Sequence, residues 1–88
     1  MPILSSFYGI AITMYREVNS RHNLPHFHAE FQGDEAVISL DGGILEGDLP
    51  SKKLRMVQTW ADIHREELEK NWNILQAGGK FIKISPLL

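Results

Sequence analysis

The chain contains no cysteine, which removes disulfides, thiolate zinc centres and cysteine nucleophiles from consideration. No stretch approaches the ~18 uninterrupted apolar residues that a bilayer span requires. The opening residues, Met1-Pro2-Ile3-Leu4-Ser5-Ser6, lack a basic segment followed by an apolar run. A cytoplasmic protein with no membrane association is the expectation. A surplus of either charge is missing as well, since nine basic and eleven acidic side chains leave a formal charge of −2. Non-specific nucleic-acid binding normally rests on a clearly basic domain, so the composition carries no footprint for it. Repeats, linkers and low-complexity stretches are also missing, and residues 1–88 read as a single domain.

Large apolar groups are well supplied: Phe7, Ile10, Ile12, Phe27, Phe31, Ile38, Leu54, Trp60, Leu68 and Trp72. A domain of this size buries only roughly 60–65% of its unfolded surface, so the core is adequate but thin. Residues 6–17 carry apolar groups at both parities, which predicts a strand covered on both sides. The polar run from Val18 to Leu24 is a loop closed by Pro25. A second strand is expected over 26–32, with Gly33-Asp34 as a tight turn, and a third over 35–40. Asp41-Gly42-Gly43 is a further hairpin signal leading to a short strand over 44–47.

The period then switches from two to three and four. Leu54, Val57, Ala61, His64, Leu68, Trp72 and Leu75 form a helical stripe. Pro50 fits the start and Gly78 the stop, which predicts a helix over 51–77, ~39 Å long at 1.5 Å per residue. Such a helix outreaches the sheet beneath it, so part of it overhangs or bends. A last strand is expected over 80–85, ended by Pro86. The order β-β-β-β-α-β predicts an α+β fold, an antiparallel sheet of four to five strands packed on one long helix.

The segment Leu24-Pro25-His26-Phe27-His28-Ala29-Glu30-Phe31 concentrates the chemistry. On a strand His26, His28 and Glu30 share one face, and the two histidines stand ~6.6 Å apart at Cα. Three readings follow. His26 and His28 are metal ligands, with Glu30 and His22 as further candidates, in a nitrogen and oxygen set suited to a divalent transition metal such as Zn²⁺, Ni²⁺, Fe²⁺ or Mn²⁺. Or they are a catalytic pair oriented by Glu30, acting as base and acid in phosphodiester cleavage. Lys52, Lys53 and Arg55 at the start of the helix are then the candidate phosphate or anion ligands. Or they occupy an ordinary polar strand face or a dimer contact. His64 lies within the apolar stripe and reads as a core histidine bonded to backbone or to a tyrosine. Tyr8, Trp60 and Trp72 are candidate interface aromatics, although at helical spacing tryptophans more commonly belong to a core.

Several of these segments together resemble a known family. Phe7-Tyr8-Gly9-Ile10, Met14-Tyr15 and Pro25-His26-Phe27-His28-Ala29-Glu30-Phe31 make one half of the likeness. Leu45-Glu46-Gly47-Asp48-Leu49-Pro50, Trp60-Ala61-Asp62-Ile63-His64-Arg65-Glu66-Glu67-Leu68 and Asn71-Trp72 make the other. The chain resembles the small prokaryotic family called domain of unknown function 4160 over nearly its full length. The loop Asn19-Ser20-Arg21-His22-Asn23-Leu24 departs from the acidic, Asn-Pro-rich character associated with that family. The resemblance implies no established activity. It implies a gene context similar to toxin–antitoxin pairs, and with it a small protein partner. The expectation is a protein-interaction module, alone or as a homodimer, with a ribonuclease-like or metal-binding role for the His-x-His-x-Glu patch as the alternative.

Overall fold

The computed structural model of the protein describes residues 3–14, 16 and 24–88. Five strands, Ser5–Phe7 (β1), Ile10–Thr13 (β2), His26–Phe31 (β3), Asp34–Ser39 (β4) and Ile44–Gly47 (β5), form one antiparallel sheet in sequence order. Two helices follow, Ser51–Ile63 (α1) and Arg65–Gln76 (α2). The α+β meander and the span of β5 agree with the sequence reading. The other elements depart from it in instructive ways.

The expected strand over 6–17 is a hairpin. Tyr8 (φ 48°) and Gly9 (φ 80°) take left-handed conformations between β1 and β2, the requirement of a type I′ turn. Phe7 therefore pairs with Ile10, and Ser5 with Ile12. This accounts for the apolar groups at both parities. In one continuous strand Phe7 and Ile10 would face opposite ways, whereas across a two-residue turn they share a face. Phe7, Ile10, Ile12 and Met14 are all buried in the core. A similar turn at Gln32-Gly33 joins β3 to β4, one residue earlier than the expected Gly33-Asp34.

The helix expected over 51–77 is broken at His64, which adopts φ −104° and ψ 26°. Hydrogen bonding of helical spacing persists on both sides, from His64 N–H to the Trp60 carbonyl (3.0 Å) and from Leu68 N–H to the His64 carbonyl (2.9 Å). The break is thus a bend at one residue, not a loop. The His64 ring lies 5.7 Å from that of Trp60, and its Nδ1 is 2.6 Å from Glu67 Oε1. Its partner is a carboxylate one turn ahead, in place of the expected backbone group or tyrosine. The bend resolves the mismatch between a long helix and short strands. Gly78 and Gly79 N–H close α2 on the Leu75 and Ile74 carbonyls, a Schellman stop at the expected glycine.

Trp60 is fully buried on α1, 5.5 Å from the Phe7 ring and 5.8 Å from that of Phe27. It is a core residue and cannot serve the interface role expected of it. Truncating a buried tryptophan typically costs about 3–5 kcal/mol, so this contact anchors α1 to the sheet. No strand forms over 80–85. Ile84 N–H reaches the Leu4 carbonyl (3.0 Å), but the other ties of this segment are to side chains. Trp60 Nε1–H donates to the Ser85 carbonyl (2.8 Å), and Ile82 N–H donates to Asn71 Oδ1 (2.6 Å). Helix side chains hold this strap in place of a strand ladder.

Candidate functional site

Strand parity places His26, His28 and Glu30 on one face of β3, as expected. Their cross-strand partners are Ser39 for His26, Thr13 and Val37 for His28, and Ala11 and Glu35 for Glu30. Accessibility is graded along the row. His26 is only 1% exposed, the His28 side chain 12%, and Glu30 is open to solvent.

The bend at His64 brings α2 back so that Trp72 lies 5.1 Å from the His26 ring, while the two imidazole centroids are 5.7 Å apart. His26 Nδ1 is 2.7 Å from the Leu24 carbonyl oxygen. A carbonyl only accepts, so Nδ1 carries the hydrogen and the lone pair of the neutral ring sits on Nε2, which is buried. His28 Nδ1, also buried, lies 3.8 Å from Glu35 Oε2. Among the described residues the carboxylate nearest His28 is therefore Glu35 of the neighbouring strand, in place of the expected Glu30. Among the described residues no group of three or more His, Cys, Asp or Glu side chains is placed to hold a metal ion. His22 lies outside the described residues.

The helix cations stand apart from the imidazoles. Lys53 Nζ donates to the Tyr8 carbonyl (3.1 Å) and sits 4.8 Å from the centroid of the Phe31 ring. Phe31 ends β3 at the opposite extremity from His26 and has the opposite parity. Lys52 and Arg55 occupy the same first turns of α1 and are exposed. The structure thus does not assemble Lys52, Lys53 and Arg55 with His26 and His28 into one anion-cleaving site. Lys53 instead clasps the β1–β2 turn, whose Tyr8 is 53% exposed.

A concave site does form beside Trp72. A cleft of about 280 Å³ opens between the segment leading into β3, the β4–β5 turn and α2, with Leu24, Leu40, Asp41, Arg65, Glu69 and Trp72 among its walls. Its geometry is built by short-range bonds. The Ser39 hydroxyl and Gly43 N–H both donate to Asp41 Oδ1. Gln58 of α1 donates to the Gly42 carbonyl at 2.9 Å, tying the turn to the helix layer. The Ser39 hydroxyl, then the Gly43 amide, hold the Asp41 carboxyl below its usual range, and the positive charge of Arg65 adds to the effect. Arg65 Nε donates to Glu69 Oε1 at 2.9 Å, one turn along α2.

Ser39, Asp41, Arg65 and Glu69 did not stand out in the sequence. Asp41 reads as turn chemistry and Arg65 and Glu69 as a solvated helix face. The one signal available was spacing, because positions 65, 69 and 72 at four and three residues align on one face of a helix.

Among the described residues no helix is long and apolar enough to cross a membrane. The family model described as Domain of unknown function (DUF4160) matches residues 9–73. No curated protein and no solved structure matches the chain.

Proposed function

The chain belongs to that DUF4160 family, and on this premise we propose that it is a cytoplasmic protein-interaction module which seats a segment of a small partner protein in the cleft beside Trp72. The partner is the other component of a toxin–antitoxin-like pair, the context that the family resemblance implies. One observation carries the reading. The His26 imidazole packs against Trp72, a wall of the cleft, with its Nε2 buried, so the pair serves to support a surface. General acid–base work needs the nitrogen within hydrogen-bond reach of a substrate. The alternative, a ribonuclease-like or metal-binding patch at His26, His28 and Glu30, has less support, because neither phosphate ligands nor a third metal ligand accompany the imidazoles among the described residues.

The test is a titration, into ¹⁵N-labelled chain, of the small protein that the proposed gene pair would place beside it. Saturable shifts centred on Asp41, Gly43, Arg65 and the Trp72 indole are expected, with no cleavage of a model RNA. Shifts confined to the exposed end of β3, or RNA cleavage that disappears in His28→Ala, would transfer the function to the histidine patch.

A further inference from the structure

We propose that the cleft between α2 and the β4–β5 turn is an arginine-reading pocket, in which a guanidinium of the partner segment lies against the Trp72 indole and pairs with the Asp41 carboxylate. The proposal rests on the interaction reading above and adds the chemistry of the occupant.

Charge selects the sign of the ligand. Among the described residues the charged walls of the cleft are Asp41 and Glu69 against Arg65, and Arg65 is engaged through Nε with Glu69. Two carboxylates against one guanidinium leave these walls negative, so an anionic ligand meets repulsion from them and a cation meets attraction. Asp41 is also prepared for a second donor. The hydrogen bonds from Ser39 and Gly43 both end on Oδ1, so neither of them occupies Oδ2, where an incoming group can donate. Those bonds favour the ionised carboxylate.

Shape selects among cations. The volume of about 280 Å³ lies just under the ~300–1,000 Å³ of drug-sized sites and suits one long side chain. Leu24, Pro25 and Leu40 offer apolar cover for an aliphatic stem. The indole adds a π face to which a planar guanidinium stacks while donating to a carboxylate. A lysine ammonium is a more strongly hydrated point charge that gains less from such a slot.

The experiment titrates Nα-acetyl-arginine amide, Nα-acetyl-lysine amide and Nα-acetyl-glutamate amide into the ¹⁵N-labelled full chain. Saturable shifts of the Trp72 indole and the Asp41 and Gly43 amides are expected with the arginine probe, weaker ones with lysine and none with glutamate. Asp41→Asn keeps an acceptor for Ser39 and Gly43 while losing the charge, and is expected to weaken the arginine probe about tenfold. Trp72→Leu is expected to weaken it as well. Equal binding of the arginine probe by parent and Asp41→Asn overturns the proposal, as does tighter binding of glutamate. Shifts at the cleft that grow with protein concentration alone overturn it too, because the occupant is then a second copy. If the small partner protein binds parent and Asp41→Asn alike while the arginine probe fails, the interaction reading stands and this one falls. If the arginine probe behaves as expected and the partner does not bind, the pocket stands and the proposed partner falls.

Discussion

The indole of Trp72 on α2 and the imidazole of His26 on β3 lie 5.1 Å apart, with their planes tilted by 53°. They come from segments 46 positions apart, and each belongs to one of the two halves of the family likeness. In the proposed reading, this contact makes His26 a support for Trp72, which lines the cleft. That role differs in kind from a role for the same ring in proton transfer, and the difference is measurable.

His26 is buried against Trp72 and tied to Leu24, whereas His28 keeps partial access to solvent. His26→Ala is expected to lose about 2–3 kcal/mol of unfolding free energy through the cavity and the lost bond. His28→Ala, at a side chain 12% exposed, is expected to lose less than His26→Ala. Urea denaturation of both variants decides it. Equal losses would mean that the pair acts as a unit, contrary to the packing described.

The acid limb of the stability profile reports on Asp41. Its folded-state pKa lies below the ordinary value of 3.8, so the native state binds the proton less readily than the unfolded chain does. The resulting stabilisation is in place above that ordinary value and disappears as pH falls through the lower folded value. Asp41→Asn is therefore expected to show a shallower loss of stability below about pH 4, with a constant offset from the parent over about pH 5–8. Thermal melts across pH in both proteins measure the two slopes.

Gly47 ends β5 at φ +75°, and a Cβ built there would clash with the Glu35 carbonyl oxygen. Neither the angle nor the approach suits an L side chain. Gly47→Ala is expected to cost at least about 2 kcal/mol, because the contact is with backbone that cannot swing aside. Loss of the Asp48 N–H bond to Glu35, at 3.2 Å, should appear as faster exchange of that amide before any global change.

Trp60 joins the helix layer to the C-terminal strap. Trp60→Phe keeps most of the buried ring but removes the donor to Ser85, at an expected cost of about 1–2 kcal/mol. The decisive readout is local. The Ile84 amide, bonded to Leu4, should exchange much faster while the Phe27 and Ile38 amides on the central strands change little.

Much of the architecture was legible because it depends on local pattern. Alternation at β3 and β4 and the Asp41-Gly42-Gly43 turn define the centre of the meander. The helical stripe and the glycine stop at 78 define the helix layer. The Tyr8-Gly9 turn is not announced by the sequence because Tyr-Gly lacks the usual Asn-Gly or Asp-Gly chemistry. Its trace was a change of parity between Phe7 and Ile10, which two-sided burial explains equally well. The bend at His64 left no proline or glycine to announce it. The strand expected over 80–85 has suitable residues, but no ladder forms and Trp60 and Asn71 hold it instead.

The candidate site divides along the same line. Sequence alone determined that His26 and His28 face one way and that the helix carries aromatic residues at a spacing suited to burial, because both follow from the repeat of a strand and of a helix. It could not say which imidazole would be covered, that Glu35 and not Glu30 would approach His28, or that Asp41 and Trp72 would come to line one cleft. Those outcomes depend on strand register and on a helix bend, which bring together residues far apart in the chain. Only tertiary packing chooses among such meetings, since no local interaction distinguishes one distant neighbour from another.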